Sequence, residues 1–177
     1  MRNRVSLGTI AFVLLLVVAV LPSFAQRGDD AERASKNGMA AGKIDGVEVT
    51  LEYGRPNVKG REIFGRLVPY GKVWRTGADE ATTITLSGDV SVEGKALPAG
   101  KYSVFTIPEK DKWTVIFNKT AKQWGAFKYD EGQDALRVTV TPKKADFVES
   151  LDFEIDGPSV VLRWAELAVP VTIKPAG

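Results

Sequence analysis

Six residues between positions 55 and 80 have the side-chain chemistry of a ligand site: Arg55, Trp74, Arg75, Thr76, Asp79 and Glu80. Guanidinium forks, an aromatic face and carboxylate acceptors are the groups that a glycan or peptide site uses. They belong to residues 53–80, which contain four arginines and two lysines, whereas residues 26–52 and 81–177 together contain four arginines and twelve lysines. Because arginine is the cation suited to bidentate binding, we predict that this segment binds a polar or anionic ligand without catalysis.

The loop at residues 74–80 admits two interpretations. If Gly77 adopts the positive φ of a tight turn, Arg75 and Glu80 converge around it and form a ligand site. Alternatively, Arg75 pairs with Asp79 or Glu80 to fix the loop, and Trp74 only fills the core.

Arg55 also has two possible roles. Pro56 restricts Arg55 to an extended conformation, which allows it to project beside Arg75 and form an anion clamp. The alternative is a surface arginine that pairs with a nearby acid.

Asp79 and Glu80 are the obvious pair for a carboxylate-based hydrolase, which is the enzymatic alternative. Neighbouring residues of a strand point to opposite faces, so such an enzyme needs a second acid from elsewhere in the chain. The chain has no histidine and no cysteine, which excludes a Ser-His-Asp triad and thiolate or histidine-bearing metal sites. Residues 130–134 lack the ligand pattern of an EF-hand. We therefore predict no catalytic residue, no metal and no cofactor.

The N-terminus has the features of a cleavable signal peptide. Two arginines precede an apolar run over residues 10–21, and small residues precede a cut after Ala25. The run is shorter than the roughly 20 residues that span a bilayer, and the chain has no lipid-anchor cysteine, so we predict a periplasmic or extracellular protein with no membrane span after cleavage. Residues 26–177 carry 22 bases and 22 acids, so nucleic acid is not an expected partner.

Hydrophobic periodicity predicts an all-β chain. Short alternating runs are separated by Gly, Pro and Asp turns from residue 44 onwards, which is typical of an antiparallel β-sandwich of the jelly-roll or immunoglobulin-like kind. One or two short helical turns are expected, at residues 61–67 and 120–127. We predict a signal peptide at 1–25, a flexible leader at 26–43 and a single sandwich domain at 44–177. Oligomeric state is left open.

Three stretches of the chain carry a resemblance to a known family. The stretches YGRPNVKGREIFGRLVPYGKVWRTGADEAT, VEGKALPAGKYSVFTIPEKDKWTVIFNK and QWGAFKYDE resemble the domain-of-unknown-function family numbered 2911, over about residues 49–173. The resemblance implies a secreted bacterial domain and no particular chemistry. Members usually read RTGANEAT where this chain has Asp79, so an amide donor is absent here. A purely structural envelope module is accordingly the third possibility.

Overall fold

The computed structural model describes Arg27 and residues 29–176 of the 177-residue chain. These described residues form ten strands and two short 3₁₀ turns, the turns being Asp30–Glu32 and Glu131–Gln133. The strands are β1 (Lys36–Ile44), β2 (Val47–Arg55), β3 (Thr82–Leu86), β4 (Val90–Val92), β5 (Lys95–Leu97), β6 (Gly100–Ile107), β7 (Trp113–Asn118), β8 (Asp134–Val140), β9 (Lys143–Asp156) and β10 (Ser159–Pro175). The predicted signal peptide lies outside the described residues.

The strands form two antiparallel sheets that pack face to face. The larger sheet has the order β1-β2-β3-β6-β7-β8, and the smaller has the order β5-β4-β10-β9. Alternate residues of each strand point into the space between the sheets, where Leu51 and Ile84 of the larger sheet belong to one core with Leu162 and Ile173 of the smaller. The prediction of an all-β sandwich is confirmed, and its two short helical turns are Asp30–Glu32 and Glu131–Gln133.

The first strand differs from the prediction of a flexible leader over residues 26–43. Residues 36–44 pair with residues 47–55 of β2 along their whole length, and the hairpin turns at Asp45 and Gly46, both of which have positive φ. Two consecutive residues with positive φ are typical of the tight turn that matches the twist of a hairpin. The leader prediction is therefore wrong for residues 36–43.

Small residues in β1 explain why its sequence resembles a linker. A Cβ on Gly38 would lie 2.4 Å from the ring of Tyr53, and a Cβ on Gly42 would lie 3.0 Å from Ile155. Large neighbouring side chains thus cover β1, and a Cβ at Gly38 would overlap the ring of Tyr53. The low hydrophobicity of the strand reflects this close packing rather than a lack of structure.

The two predicted helical turns, at residues 61–67 and 120–127, are not helical. Residues 63–68 form a compact hydrogen-bonded turn closed by a bridge between Phe64 and Val68, and Trp124 forms a bridge with Glu80. Each segment contains a glycine with positive φ, Gly65 in the first and Gly125 in the second, which a right-handed helix does not accommodate.

Candidate functional site

Residues 56–81 connect β2 to β3, and the four arginines of residues 53–80 do not share a partner. Arg55 Nε donates to the carbonyl oxygen of Leu151 at 3.2 Å, and Arg55 Nη2 lies 3.5 Å from Asp152 Oδ2. Arg61 donates to backbone carbonyls of its own turn, and Arg66 pairs with Glu62 at the surface. These contacts favour the structural alternative for Arg55 and indicate no shared anion clamp.

Trp74 belongs to the protein core. Its side chain forms an aromatic cluster with Phe64, Trp113 and Trp164, in which the rings of Trp74 and Trp164 stack with centroids 5.8 Å apart. Its Nε1 donates to the carbonyl oxygen of Gly77 at 3.2 Å, and only 9% of the residue is exposed. Trp74 thus offers no face on which a ligand can stack.

Thr76 is also an interior residue. Its Oγ1 lies 3.3 Å from the carbonyl oxygen of Trp74 and 3.2 Å from Thr106 Oγ1, while its carbonyl oxygen accepts a hydrogen bond from Thr82 Oγ1. Thr76 and Thr106 line an apolar cavity of about 30 Å³ between the sheets. The polar atoms of Thr76 therefore hold the loop in place.

Gly77 does not adopt the positive φ that the first interpretation of this loop requires. Positive φ occurs at Thr76 (56°) and Asp79 (60°) instead. Glycine is required at position 77 for a different reason, since a Cβ there would lie 3.0 Å from the carbonyl oxygen of Gly54. A Cβ on Gly54 would in turn lie 2.3 Å from the carbonyl oxygen of Ala78. The two glycines allow the loop backbone to pack directly against the end of β2.

Asp79 and Glu80 are paired with arginines that precede β1. Arg33 donates two hydrogen bonds to Glu80, from Nη1 to Oε2 at 2.8 Å and from Nη2 to Oε1 at 2.5 Å. Its Nη1 also lies 3.4 Å from Asp79 Oδ2. Arg27 Nη2 donates to the carbonyl oxygens of Ala81 (3.0 Å) and Glu80 (3.3 Å), and Arg27 Nη1 lies 3.8 Å from Glu80 Oε2. We call Arg27, Arg33, Asp79 and Glu80 the charged cluster.

Arg75 lies outside these contacts. Its Nε is buried without a hydrogen bond, and burial lowers the pKa of its guanidinium while the charge of Asp79 opposes that shift. The sequence analysis thus correctly suggested an arginine ion pair for Asp79 and Glu80, but the arginine is Arg33 and not Arg75. Arg27 and Arg33 were missed because they lie in the segment predicted to be flexible.

The charges of the cluster determine the ionisation of Glu80. Burial by itself would raise the pKa of this carboxyl, but the hydrogen bonds and charge of Arg33, together with the charge of Arg27, outweigh burial and lower it. Burial lowers the pKa of Arg27, and the charge of Glu80 opposes that effect. Glu80 is therefore ionised at neutral pH, and arginine keeps its proton even when buried.

Two exposed aromatic residues lie on the loop that forms a bridge with Glu80. Trp124 is 62% exposed and Phe127 is 89% exposed. Their loop is anchored by two backbone hydrogen bonds, Gly125 N to Asp79 O at 3.0 Å and Ala81 N to Gln123 O at 2.9 Å. These bonds flank Glu80 and Trp124, which are thus a non-hydrogen-bonded antiparallel pair. The Cα atoms of such a pair are about 4.5 Å apart and their side chains leave on the same side, so Trp124 emerges next to the carboxylate of Glu80.

Trp124 and Phe127 lie in the second of the two predicted helical turns, residues 120–127. The structure instead turns both side chains outward, because the loop follows Glu80 as an extended bridge and then reverses at Gly125, whose φ is 65°. We call Trp124 and Phe127 together with the charged cluster the aromatic surface. Of the six predicted site residues, Asp79 and Glu80 lie on it.

A small cavity with charged residues in its lining lies next to the aromatic surface. It has a volume of about 20 Å³, and its lining includes Arg27, Glu80, Gln123 and the pair formed by Glu52 and Lys101. Lys101 Nζ lies 2.6 Å from Glu52 Oε2.

A separate open groove of about 570 Å³ runs between the 58–64 turn and strands β9 and β10, and Phe147, 58% exposed, lies at its edge.

Comparison with known proteins gives a family without an activity. The family described as "Protein of unknown function (DUF2911)" matches residues 35–173, and the chain belongs to this family, as its sequence resemblance predicts. No curated protein and no solved structure matches the chain.

Two structural findings concern membranes and metals. Within residue 27 and residues 29–176, no helix has the length and apolar character needed to cross a bilayer. Over the same residues, no group of three or more acidic side chains is placed to hold a metal ion.

Proposed function

We propose that this chain binds a glycan, without catalysing a reaction, on the aromatic surface. The observation that carries the proposal is the exposure of Trp124 and Phe127 on a loop that is hydrogen-bonded to Asp79 and Ala81. A sugar ring presents an apolar face that stacks on indole, and its hydroxyl groups bond to carboxylates and guanidiniums. All three kinds of group meet at this surface. The proposal keeps the predicted class of ligand and moves its aromatic contact from Trp74 to Trp124.

The fixed loop geometry supports recognition rather than incidental exposure. Burying a large aromatic side chain stabilises a protein by about 1.5 to 3 kcal/mol, so leaving two of them in solvent forgoes that gain. Clustered exposed aromatics with a polar rim are typical of binding sites. Because Glu80 is held by Arg33 through two hydrogen bonds, its carboxylate is oriented before a ligand arrives.

The hydrolase alternative fits the contacts of the carboxylates less well. It requires an acid that stays protonated near neutral pH, whereas the charged cluster lowers the pKa of Glu80. Glu52 lines the same cavity as Glu80, but it is paired with Lys101 at 2.6 Å. Both carboxylates therefore have cationic partners already.

The purely structural alternative accounts for part of the chain. It explains Trp74 and Thr76, which are buried, but packing gives no reason for the exposure of Trp124 and Phe127.

Tryptophan fluorescence provides a direct test on the full chain. The chain has four tryptophans, and Trp74, Trp113 and Trp164 are buried, so acrylamide quenches mainly Trp124. We expect one of four probes, cellotetraose, maltotetraose, chitotetraose or xylotetraose, to protect Trp124 from quenching. Trp124→Ala should then weaken binding about tenfold in calorimetry, which corresponds to about 1.4 kcal/mol.

The matched control is Phe147→Ala. Phe147 is exposed to nearly the same extent as Trp124 but lies at the separate groove, so this variant should bind the probe as the wild type does. If none of the four sugars protects Trp124, the proposal is wrong. If Phe147→Ala abolishes binding and Trp124→Ala leaves it intact, the binding site is the groove and not the aromatic surface.

A further inference from the structure

Two residues that line the small cavity beside the aromatic surface each have one buried polar atom without a hydrogen-bond partner, a donor in one case and an acceptor in the other. Arg27 and Gln123 both line it and are both at least nine-tenths buried. Arg27 Nη1 has no hydrogen bond, although it lies 3.8 Å from Glu80 Oε2, and Gln123 Oε1 has no hydrogen bond either. A buried polar atom without a partner costs about 1 to 3 kcal/mol, so two of them in one cavity indicate that something binds there.

The orientation of the Gln123 amide follows from its other contacts. Gln123 Nε2 donates to Thr120 O at 2.8 Å and to Asn118 Oδ1 at 3.1 Å, and it lies 3.3 Å from Ser103 Oγ. Carbonyl and amide oxygens accept hydrogen bonds but cannot donate them. If the amide oxygen and nitrogen of Gln123 were exchanged, Oε1 would face Thr120 O and Asn118 Oδ1, which are both acceptors. Oε1 is therefore the atom left to accept a hydrogen bond from whatever fills the cavity.

Charge and size narrow the class of occupant. An anion would meet the carboxylates of Glu52 and Glu80, whereas a cation would meet the charges of Arg27, Lys101 and Lys122. A hydroxyl group is neutral, accepts a hydrogen bond through its oxygen and donates one through its proton. The volume of about 20 Å³ exceeds the roughly 10 to 15 Å³ that one water requires, and it has no space for a sugar ring.

We propose that this cavity is a hydroxyl subsite of the aromatic surface, occupied by a water molecule in the free protein and by one hydroxyl of the bound glycan. Arg27 Nη1 donates to the hydroxyl oxygen, and Gln123 Oε1 accepts the hydroxyl proton. Glu80, whose side chain leaves the bridge on the same side as that of Trp124, also lines the cavity, so a sugar stacked on the indole has the cavity beside it. The glycan part of this inference rests on the proposed function, whereas the water part does not.

A crystal structure of the free full chain at 1.5 Å or better tests whether a water molecule occupies the cavity. We expect one ordered water within about 3.2 Å of both Arg27 Nη1 and Gln123 Oε1. An empty cavity, or an ion in place of the water, overturns the subsite whatever the sugars do.

Deoxy sugars test the hydroxyl. The tetrasaccharide that binds best among the four probes is compared with its singly deoxygenated analogues, against wild type and Arg27→Met. Wild type should bind one analogue about tenfold more weakly than the parent sugar, and Arg27→Met should bind the two sugars equally. Gln123→Met provides a second variant, which should lose the same discrimination, and circular dichroism verifies that each variant is folded.

The outcomes separate the two proposals. If Trp124→Ala does not weaken any of the four sugars, the proposed function fails, while an ordered water would still support the cavity as a hydroxyl site. If Trp124→Ala weakens binding but Arg27→Met discriminates among the deoxy sugars as wild type does, the subsite is wrong and the proposed function stands.

Discussion

Replacing Glu80 with glutamine probes the charged cluster at its centre. The substitution preserves shape and one acceptor oxygen, but it removes the charge that Arg33 and Arg27 share. Without that charge the two guanidiniums repel each other, since the charge of Arg33 already lowers the pKa of Arg27. We therefore expect Glu80→Gln to destabilise the protein more than Arg33→Met, which leaves Glu80 paired with Arg27.

The burial of the Arg33–Glu80 pair determines how much the Glu80→Gln substitution lowers the free energy of unfolding. The side chains of Arg33 and Glu80 are 11% and 20% exposed. Exposed ion pairs contribute about 0 to 1 kcal/mol, and breaking a fully buried pair costs about 3 to 5 kcal/mol. For a pair that is mostly buried and an isosteric substitution, we expect a loss of about 2 to 3 kcal/mol in the free energy of unfolding, or about 4 to 12 °C in Tm.

Urea unfolding at several pH values is the assay. Because the folded state lowers the pKa of Glu80, the stabilising contribution of this carboxylate is fully present above the unfolded pKa of about 4.3 and disappears as the pH falls through the folded pKa. The difference in stability between wild type and Glu80→Gln should thus be constant from pH 7 to about 5 and shrink at lower pH.

Glu154→Gln is the matched control for this prediction. Glu154 pairs with Arg163 at 2.7 Å, but the two side chains are 48% and 33% exposed, so we expect a loss of less than about 1 kcal/mol. Equal losses for the two variants, or a Glu80→Gln effect that persists unchanged at acid pH, would show that the charged cluster does not stabilise the fold as argued.

Three further substitutions test the packing and the ionisation of other sites. Gly54→Ala places a Cβ 2.3 Å from the carbonyl oxygen of Ala78 and should lower the free energy of unfolding, measured by thermal unfolding, by about 1 to 3 kcal/mol or more. Gly88→Ala is its control and should lower it less, because the added Cβ would meet its nearest neighbour at 3.4 Å. Trp74→Ala removes an indole from the aromatic cluster and should cost about 3 to 5 kcal/mol in urea unfolding; a loss below 1 kcal/mol would contradict its role in the core. Burial and the hydrogen bond to a neighbouring carboxylate raise the pKa of Tyr129 to about 12, so the stability advantage of wild type over Tyr129→Phe should shrink as the pH rises from about 10 to 12, and an unchanged advantage would contradict this ionisation.

The sandwich was predictable because several of its strands alternate between apolar and polar residues. In β2, for example, Val49, Leu51 and Tyr53 are buried in the core. Strand β1 was not predictable, because Gly38 and Gly42 weaken its alternation to admit the side chains of distant residues. That requirement depends on tertiary contacts, which a local pattern does not contain.

The site was harder to predict than the fold for a similar reason. An arginine, an aromatic and an acid in one segment suggest a ligand site, but Trp74 shows that the aromatic can serve the core instead. The contacts that orient Glu80 come from Arg33, which is 47 positions earlier in the chain. The exposure of Trp124 depends on a backbone bridge to Glu80. The spacing of residues within either segment does not predict that bridge.

The recognisable motif and the proposed ligand surface are thus coupled through the backbone. Arg27 bonds to the carbonyl oxygen of Ala81, and the amide of Ala81 donates to the carbonyl oxygen of Gln123. Movement of the segment before β1 would therefore disturb the anchor of the loop that carries Trp124. The conformation of the 74–80 loop presents Asp79 and Glu80 to partners from two other segments, and the proposed ligand surface lies where those segments meet.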